Sequence, residues 1–461
     1  MLLGCAYLFA ASSVADTIVV EPIDTETIVV ENIVVETEPT VTELVEEVSE
    51  LTARVKFLEA QLAKVLELVD IQEADVIIPV AVVAPITIDK QPTPVLHADA
   101  PSVKVGGRVK ADLIFNSRSV GGSGGTNRAD LAFVPKKIPL DGQGQNNQLS
   151  ASAQDSRIWI NALTPTAFGD LGAYIEVDFA SSDGSGNEKV SNSYNPRMRH
   201  AYGIYGGFTV GQTFTTFLNV SAYPELNEIN GPVGILNIRQ PLIRYERESQ
   251  FGRWMIALEQ PETVLMTSDG SSIAPDDDRF PDIVGRVDFR NDWGNWSIAT
   301  MVRQIRIDDS ALVHVEDEAW GGAISASGRI YTSGLDNIRF SVSYGKGLGR
   351  YLSFNAFDDG VIDDAGNIEL TPVFGGYFSY QHWWSSQLRS TVALGYATAD
   401  IDFSIAPASV NDSYFSSHLN LLWSPIPEVS VGFEWLYGHR SLEDGSEGEL
   451  HRLQITSLYR F

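Results

Sequence analysis

A single cysteine, Cys5, is present among 461 residues, so no intrachain disulfide can form and no cysteine-rich metal site is available. No apolar run reaches 18 residues, which excludes a transmembrane helix of ordinary length. The seven histidines show no metal-ligand spacing, and no P-loop or GxSxG motif occurs. His200, Ser416 and His418 do not compose a hydrolase site by spacing, so no enzyme is expected. Basic residues are scarce, 32 against 60 acids for a net charge of −28, and none are clustered, which disfavours nucleic-acid binding. Pro275-Asp276-Asp277-Asp278, Asp358-Asp359 and Asp363-Asp364 lack the spacing of a calcium loop and read as solvated loop acids. No metal and no cofactor is expected.

The chain instead has aromatics throughout, many Gly and Ser, and short alternating segments. The last eleven residues show the pattern. Leu453, Ile455, Tyr459 and Phe461 fall on one face, and Arg452, Gln454, Thr456 and Arg460 on the other. A period of two with an aromatic terminus fits either a surface strand of a soluble protein or the closing strand of an outer-membrane barrel. The rest of the chain favours the barrel.

Five regions follow from composition. Residues 1–15 read as a signal peptide: Leu2 to Ala11 are mostly apolar and Ser13-Val14-Ala15 is a small-x-small cleavage site, although a basic n-region is missing. Cys5 leaves with it. Residues 16–40 form an acidic lead-in; between 16 and 100 there are 18 acids and 4 bases. Residues 41–70 carry a heptad seam, with Val41, Leu44, Val48, Leu51, Val55, Leu58, Leu62, Val65 and Val69 spaced alternately three and four apart. This predicts a coiled coil about 40 Å long. Residues 71–102 form a stiff linker with Pro79, Pro85, Pro92, Pro94 and Pro101.

Residues 103–461 hold sixteen expected strands: 103–116, 154–164, 171–181, 197–205, 207–213, 239–247, 252–260, 282–291, 295–305, 319–332, 335–345, 370–382, 386–398, 413–424, 428–438 and 449–461. Short turns alternate with long loops, as in an up-and-down membrane barrel, and an even count puts both ends in the periplasm. The fold class is an all-β transmembrane barrel of about 16 antiparallel strands with an N-terminal periplasmic α-helical coiled coil.

Strand parity sends Ile158, Ile160, Ile175, Ile256, Leu258, Ile298, Val342, Leu394, Leu421, Val431 and Phe433 to the lipid face. The opposite face collects Arg157, Arg197, Arg199, Arg244, Arg286, Arg303, Arg339 and Arg389, together with Arg290, Arg329 and Arg452. A charge facing lipid costs about 2–4 kcal/mol at the midplane, so these arginines line water. Glu176, Asp178, Glu246, Glu259, Asp288 and Glu434 share that face. About half of the arginines are expected to pair with them, the rest forming a basic track for anions. The long connection Thr215–Ile238, with Tyr223, Glu225 and Glu228, is expected to fold inward and narrow the pore.

Ser156-Arg157-Ile158-Trp159-Ile160, Gly172 to Phe179, Pro196 to Tyr202, Gly211 to Phe217, Arg239-Gln240-Pro241 and Arg244-Tyr245 resemble the DcaP-like outer-membrane porins, and so does the coiled coil ahead of the barrel. The resemblance spans about 103–461. It implies a homotrimer of sixteen-stranded channels in outer-membrane lipid, taking up small anionic solutes such as dicarboxylates and aromatic carboxylates. The other reading is a structural anchor or envelope spacer that uses the coiled coil.

Overall fold

Alternation of apolar and polar side chains leaves each segment one face for hydrocarbon and one for a polar interior. In a bilayer the backbone can satisfy both only as a closed sheet. A computed structural model of the protein describes residues 100–118, 131–144, 146–167, 169–180, 194–308, 315–353, 355–402 and 404–461. The expected signal peptide, acidic lead-in, coiled coil and all but the end of the linker lie outside the described residues.

Sixteen strands close the sheet. They are β1 (Ser102–Arg118), β2 in two pieces (Asn146–Ser152 and Arg157–Thr166), β3 (Gly169–Asp178), β4 (Arg197–Tyr205), β5 (Phe208–Phe214), β6 (Arg239–Ser249), β7 (Gly252–Glu259), β8 (Asp282–Asn291), β9 (Gly294–Asp308), β10 (Glu316–Tyr331), β11 (Asn337–Lys346), β12 (Pro372–Trp383), β13 (Leu388–Ala399), β14 (Asn411–Ile426), β15 (Val429–Leu442) and β16 (Glu447–Arg460). Each pairs antiparallel with its sequence neighbour. β1 also pairs with β16, from Arg108 opposite Arg460 to Asn116 opposite Arg452, so no edge is left.

The expected strands are all present, with shifted edges. The largest correction is β2. It starts at Asn146 rather than 154, because its ladder with β1 resumes beyond a break. Ser152 lies opposite Asp112 and Arg157 opposite Arg108, so Ala153–Ser156 face only three residues of β1. That extra residue is a bulge, and it turns the consecutive Gln154 and Asp155 both into buried positions.

The outer wall follows the predicted parity, with Ile160, Ile175, Ile256, Ile298, Val342, Leu394 and Leu421 exposed. Aromatics bound this band on both rims. Tyr205, Phe208, Phe251, Trp293, Tyr331, Trp384, Tyr459 and Phe461 sit at the short-turn side, and Phe280, Trp320, Tyr344, Phe374 and Tyr396 at the long-loop side. Two aromatic girdles around an apolar band mark the membrane-facing surface.

Inside, long connections fold back and share one apolar core. Phe133 and Ile138 come from the first, Phe217, Val233 and Leu236 from the connection after β5, and Leu348, Tyr351, Leu352 and Phe357 from the connection after β11. Glycine lets the middle one press on the wall. A Cβ at Gly395 would lie 2.1 Å from the Val233 carbonyl oxygen, and Gly234, at φ +79°, lies against the backbone of Gly376.

Candidate functional site

The connection Thr215–Ile238 leaves β5 and meets inward side chains of the far wall. Arg286 of β8 donates to the carbonyls of Thr216 and Leu218, and Tyr377 of β12 to that of Ala222 at 2.9 Å. Arg339 of β11 donates to the Tyr223 carbonyl, and the Tyr223 hydroxyl to that of Leu236. Arg389 of β13 grips Glu225 with two bonds, of 2.7 Å and 2.5 Å, while Gln381 adds a third at 2.6 Å. The Asn227 amide donates to Glu434 of β15, and its carbonyl accepts from Lys110 of β1 at 2.8 Å. Glu228 accepts the amides of Phe133, Asn230 and Gly231 and lies 4.0 Å from Arg452 of β16. The segment thus runs inside the barrel, held by polar groups from β1, β8 and β11 to β16.

Across from it stands a basic wall built by β2 to β6. Arg157 bonds Asp155 at 3.0 Å and lies 3.5 Å from Glu176. Arg199 contacts Glu176 at 2.5 Å and Asp178 at 2.9 Å, and Arg197 contacts Asp178 at 2.7 Å. Arg244 lies 3.7 Å from Glu246. Beside these charges Trp159, Tyr174, His200 and Phe214 form a row of rings 5.0–6.2 Å apart.

Arg239 joins this wall, and strand parity missed it. Gln240 points inward, so alternation assigns Arg239 to the outside, but β6 is only leaving the infolded connection there. Its guanidinium lies 5.1 Å from the centre of the Phe214 ring, within the field of Arg199, Arg197, Arg157 and Asp178. Among the described residues it makes no ion pair. The signal that could have found it is its position next to the connection.

A cavity of about 370 Å³ separates the connection from the wall. Arg108, Lys110, Asp155, Arg157, Glu176, Glu225, Glu228 and Arg460 are among its lining residues.

The eight predicted arginines all face inward, but they divide by environment. Arg303 is fully buried between Asp282 and Asp359 at 3.2 and 2.9 Å, which corrects its placement on an open path. Arg389 is fully buried too, and Arg286 and Arg339 hold backbone carbonyls, so these brace the connection. Arg157, Arg197, Arg199 and Arg244 make up the basic wall. The expectation that about half would pair with the named acids is met: of the eleven arginines, Arg157, Arg197, Arg199, Arg244 and Arg286 form ion pairs with Glu176, Asp178, Glu246 or Asp288. Arg290, assigned inward by parity, is exposed beside the β8–β9 turn.

The structure does bring Ser416, His418 and Glu434 together, at 3.3 and 3.0 Å. All three are buried, and the Ser416 hydroxyl accepts the Val233 amide, so this relay anchors the connection. Several of the loop acids have protein partners: Asp278 accepts from Thr263, Asp358 from Ser272, and Asp359 pairs with Arg303. Asp363 accepts from Asn367 and Ala365, and these bonds, the Asn367 side chain foremost, hold its carboxyl below the usual range.

The profile of the DcaP outer membrane protein family matches residues 45–461. Among solved structures, the chain is similar to the outer membrane channel DcaP of Acinetobacter baumannii, with a TM-score of 0.66 and 22% identity over 79% of this chain and 99% of that one. It is also similar to an anion-selective porin from Comamonas acidovorans, with a TM-score of 0.51 and 11% identity over 78% and 100%. For the OmpT outer-membrane protein of Vibrio cholerae the TM-score is 0.50 at 11% identity over 79% and 99%. At these identities the likeness is one of fold. Comparison with curated proteins gives no match.

Proposed function

The chain belongs to the DcaP outer membrane protein family and has a porin fold, and from this premise we propose that it is a passive channel favouring small anionic solutes such as dicarboxylates or aromatic carboxylates. In this reading Thr215–Ile238 is the constriction, and Arg157, Arg197, Arg199, Arg239 and Arg244 present charge to a solute passing between it and the wall.

One observation carries the reading. Arg157, Arg197, Arg199 and Arg239 converge from three strands on only two strand carboxylates, Glu176 and Asp178, with Asp155 behind. Among the described residues Arg239 has the face of Phe214 and no ion pair. A guanidinium fork matches both oxygens of a carboxylate, which makes an anion the complementary ligand. In the same proposal the chain is a homotrimer, with the Val41–Val69 heptad seam of the sequence as an association element. The strictness of that seam supports oligomerisation; Val at a with Leu at d leans toward dimers, so the choice of three copies rests on the resemblance to trimeric porins.

Arg239→Gln tests the reading directly, since it removes a charge and orphans no carboxylate. Reversal potentials across planar bilayers in a KCl gradient should show an anion-preferring wild type and a weaker preference in the variant. A cation-preferring wild type, or an unchanged variant, refutes it.

A further inference from the structure

Asp155 is the most heavily countered carboxylate facing the cavity. Arg108 bonds one of its oxygens at 2.6 Å, Lys110 lies 3.2 Å from the same oxygen, and Arg157 bonds the other at 3.0 Å. Arg108 also donates through Nε to the Asp155 backbone carbonyl at 3.2 Å. Three cations from two strands thus converge on one carboxylate, which the β2 bulge turns inward and which is 1% exposed. The same three cations line the cavity next to the constriction, and Lys110 ties the cluster to Asn227.

A cage that binds a protein carboxylate through two guanidiniums, one on each oxygen, and an ammonium has the donor set for a solute carboxylate. With Asp155 in place those donors are largely neutralised. A diffusion channel needs this balance, because a solute must enter readily and also leave. We infer that Asp155 is a resident counter-anion that sets how long an anionic solute dwells beside the constriction, competing with it for Arg108, Lys110 and Arg157. This rests on the reading of the protein as an anion channel. Asp155 is here a specificity-determining residue, and the ligand class of the subsite it moderates is a small carboxylate.

The test is Asp155→Asn in the full-length protein, with succinate as the probe in planar bilayers. The Asn side chain keeps the size and one acceptor oxygen but removes the charge. Succinate-induced interruptions of the current should lengthen about tenfold at low salt, the scale of one unit charge a few ångströms away. The reversal potential should move further toward the anion. Asp155→Glu, which keeps the charge, should behave as wild type, and Arg108→Gln should shorten the interruptions. Arg108→Gln also decides the matter if Asp155→Asn yields no barrel: unchanged interruptions in that variant overturn the inference. So do unchanged dwell times in Asp155→Asn, or an equal shift in Asp155→Glu, which would make the effect one of packing. The two readings fail separately. A wild type without anion preference ends the anion-channel reading, whereas the Asp155 inference is judged on the difference between variant and wild type.

Discussion

Glu225→Gln removes the charge that fastens the constriction to the wall. Arg389 then stays fully buried with its fork facing an amide, which can satisfy only one of the two bonds. Breaking a buried pair by neutralising one member costs about 3–5 kcal/mol. The lower figure applies here, because Ser424 still accepts from Arg389 at 2.9 Å and the lumen admits water. About 3 kcal/mol is a roughly hundredfold shift toward an undocked connection. The barrel itself should survive, since its ladders and the remaining anchors at Glu228, Asn227 and Tyr223 are untouched. Single-channel recordings should show a noisier open state with brief high-conductance excursions, while heat-modifiable gel mobility still reports a folded barrel. The double variant Glu225→Gln/Arg389→Gln should be milder than Glu225→Gln alone, because no buried charge is orphaned. The pH dependence follows as well. Burial pushes the Glu225 carboxyl up, but the Arg389 fork, the charges of Arg389 and Arg339 and the Gln381 bond outweigh it and hold it below its ordinary 4.5. A depressed value means that the stabilisation is fully present above 4.5 and is lost as pH falls through the lowered value. Wild-type current should therefore stay quiet as pH falls through 4.5 and become noisy only below it. A Glu225→Gln channel as quiet as wild type refutes the clamp.

Gly395→Ala places a methyl against the Val233 carbonyl; conductance should change through displacement of the connection, and unaltered conductance shows that the contact is slack. Val342→Arg puts a charge on the exposed outer face of β11 and should destabilise the barrel by about 2–4 kcal/mol in urea unfolding in liposomes; a change below 1 kcal/mol places Val342 off the lipid face. Leu51→Lys with Leu58→Lys should unzip the heptad seam, and truncation of residues 16–100 tests whether the barrel walls hold the trimer alone. A monomer by mass analysis of the intact protein ends the trimer proposal. Raising KCl to 1 M, where screening shortens to about 3 Å, should blunt the wild-type ion preference; a preference that persists at 1 M is not set by charge.

Much of the barrel was legible because a strand has a period of two and the two solvents differ sharply. Ile160, Ile256, Val342 and Leu421 could face only hydrocarbon, and Arg199 and Arg389 only the interior. Turn length separated the two rims, and the length of Thr215–Ile238 marked it for folding inward. The partners were not legible, since an ion pair such as Glu225 with Arg389 spans 164 residues and no local period encodes it. The bulge at Ala153–Ser156 and the inward turn of Arg239 also escaped, because both break the alternation on which the assignment rests. Local sequence thus determined, for strand residues that keep the alternation, which face lipid and which face the lumen. Only tertiary structure decided which arginines were locked as braces and which were left at the open wall, because that depends on which carboxylates the closed sheet and its infolded connection bring within reach.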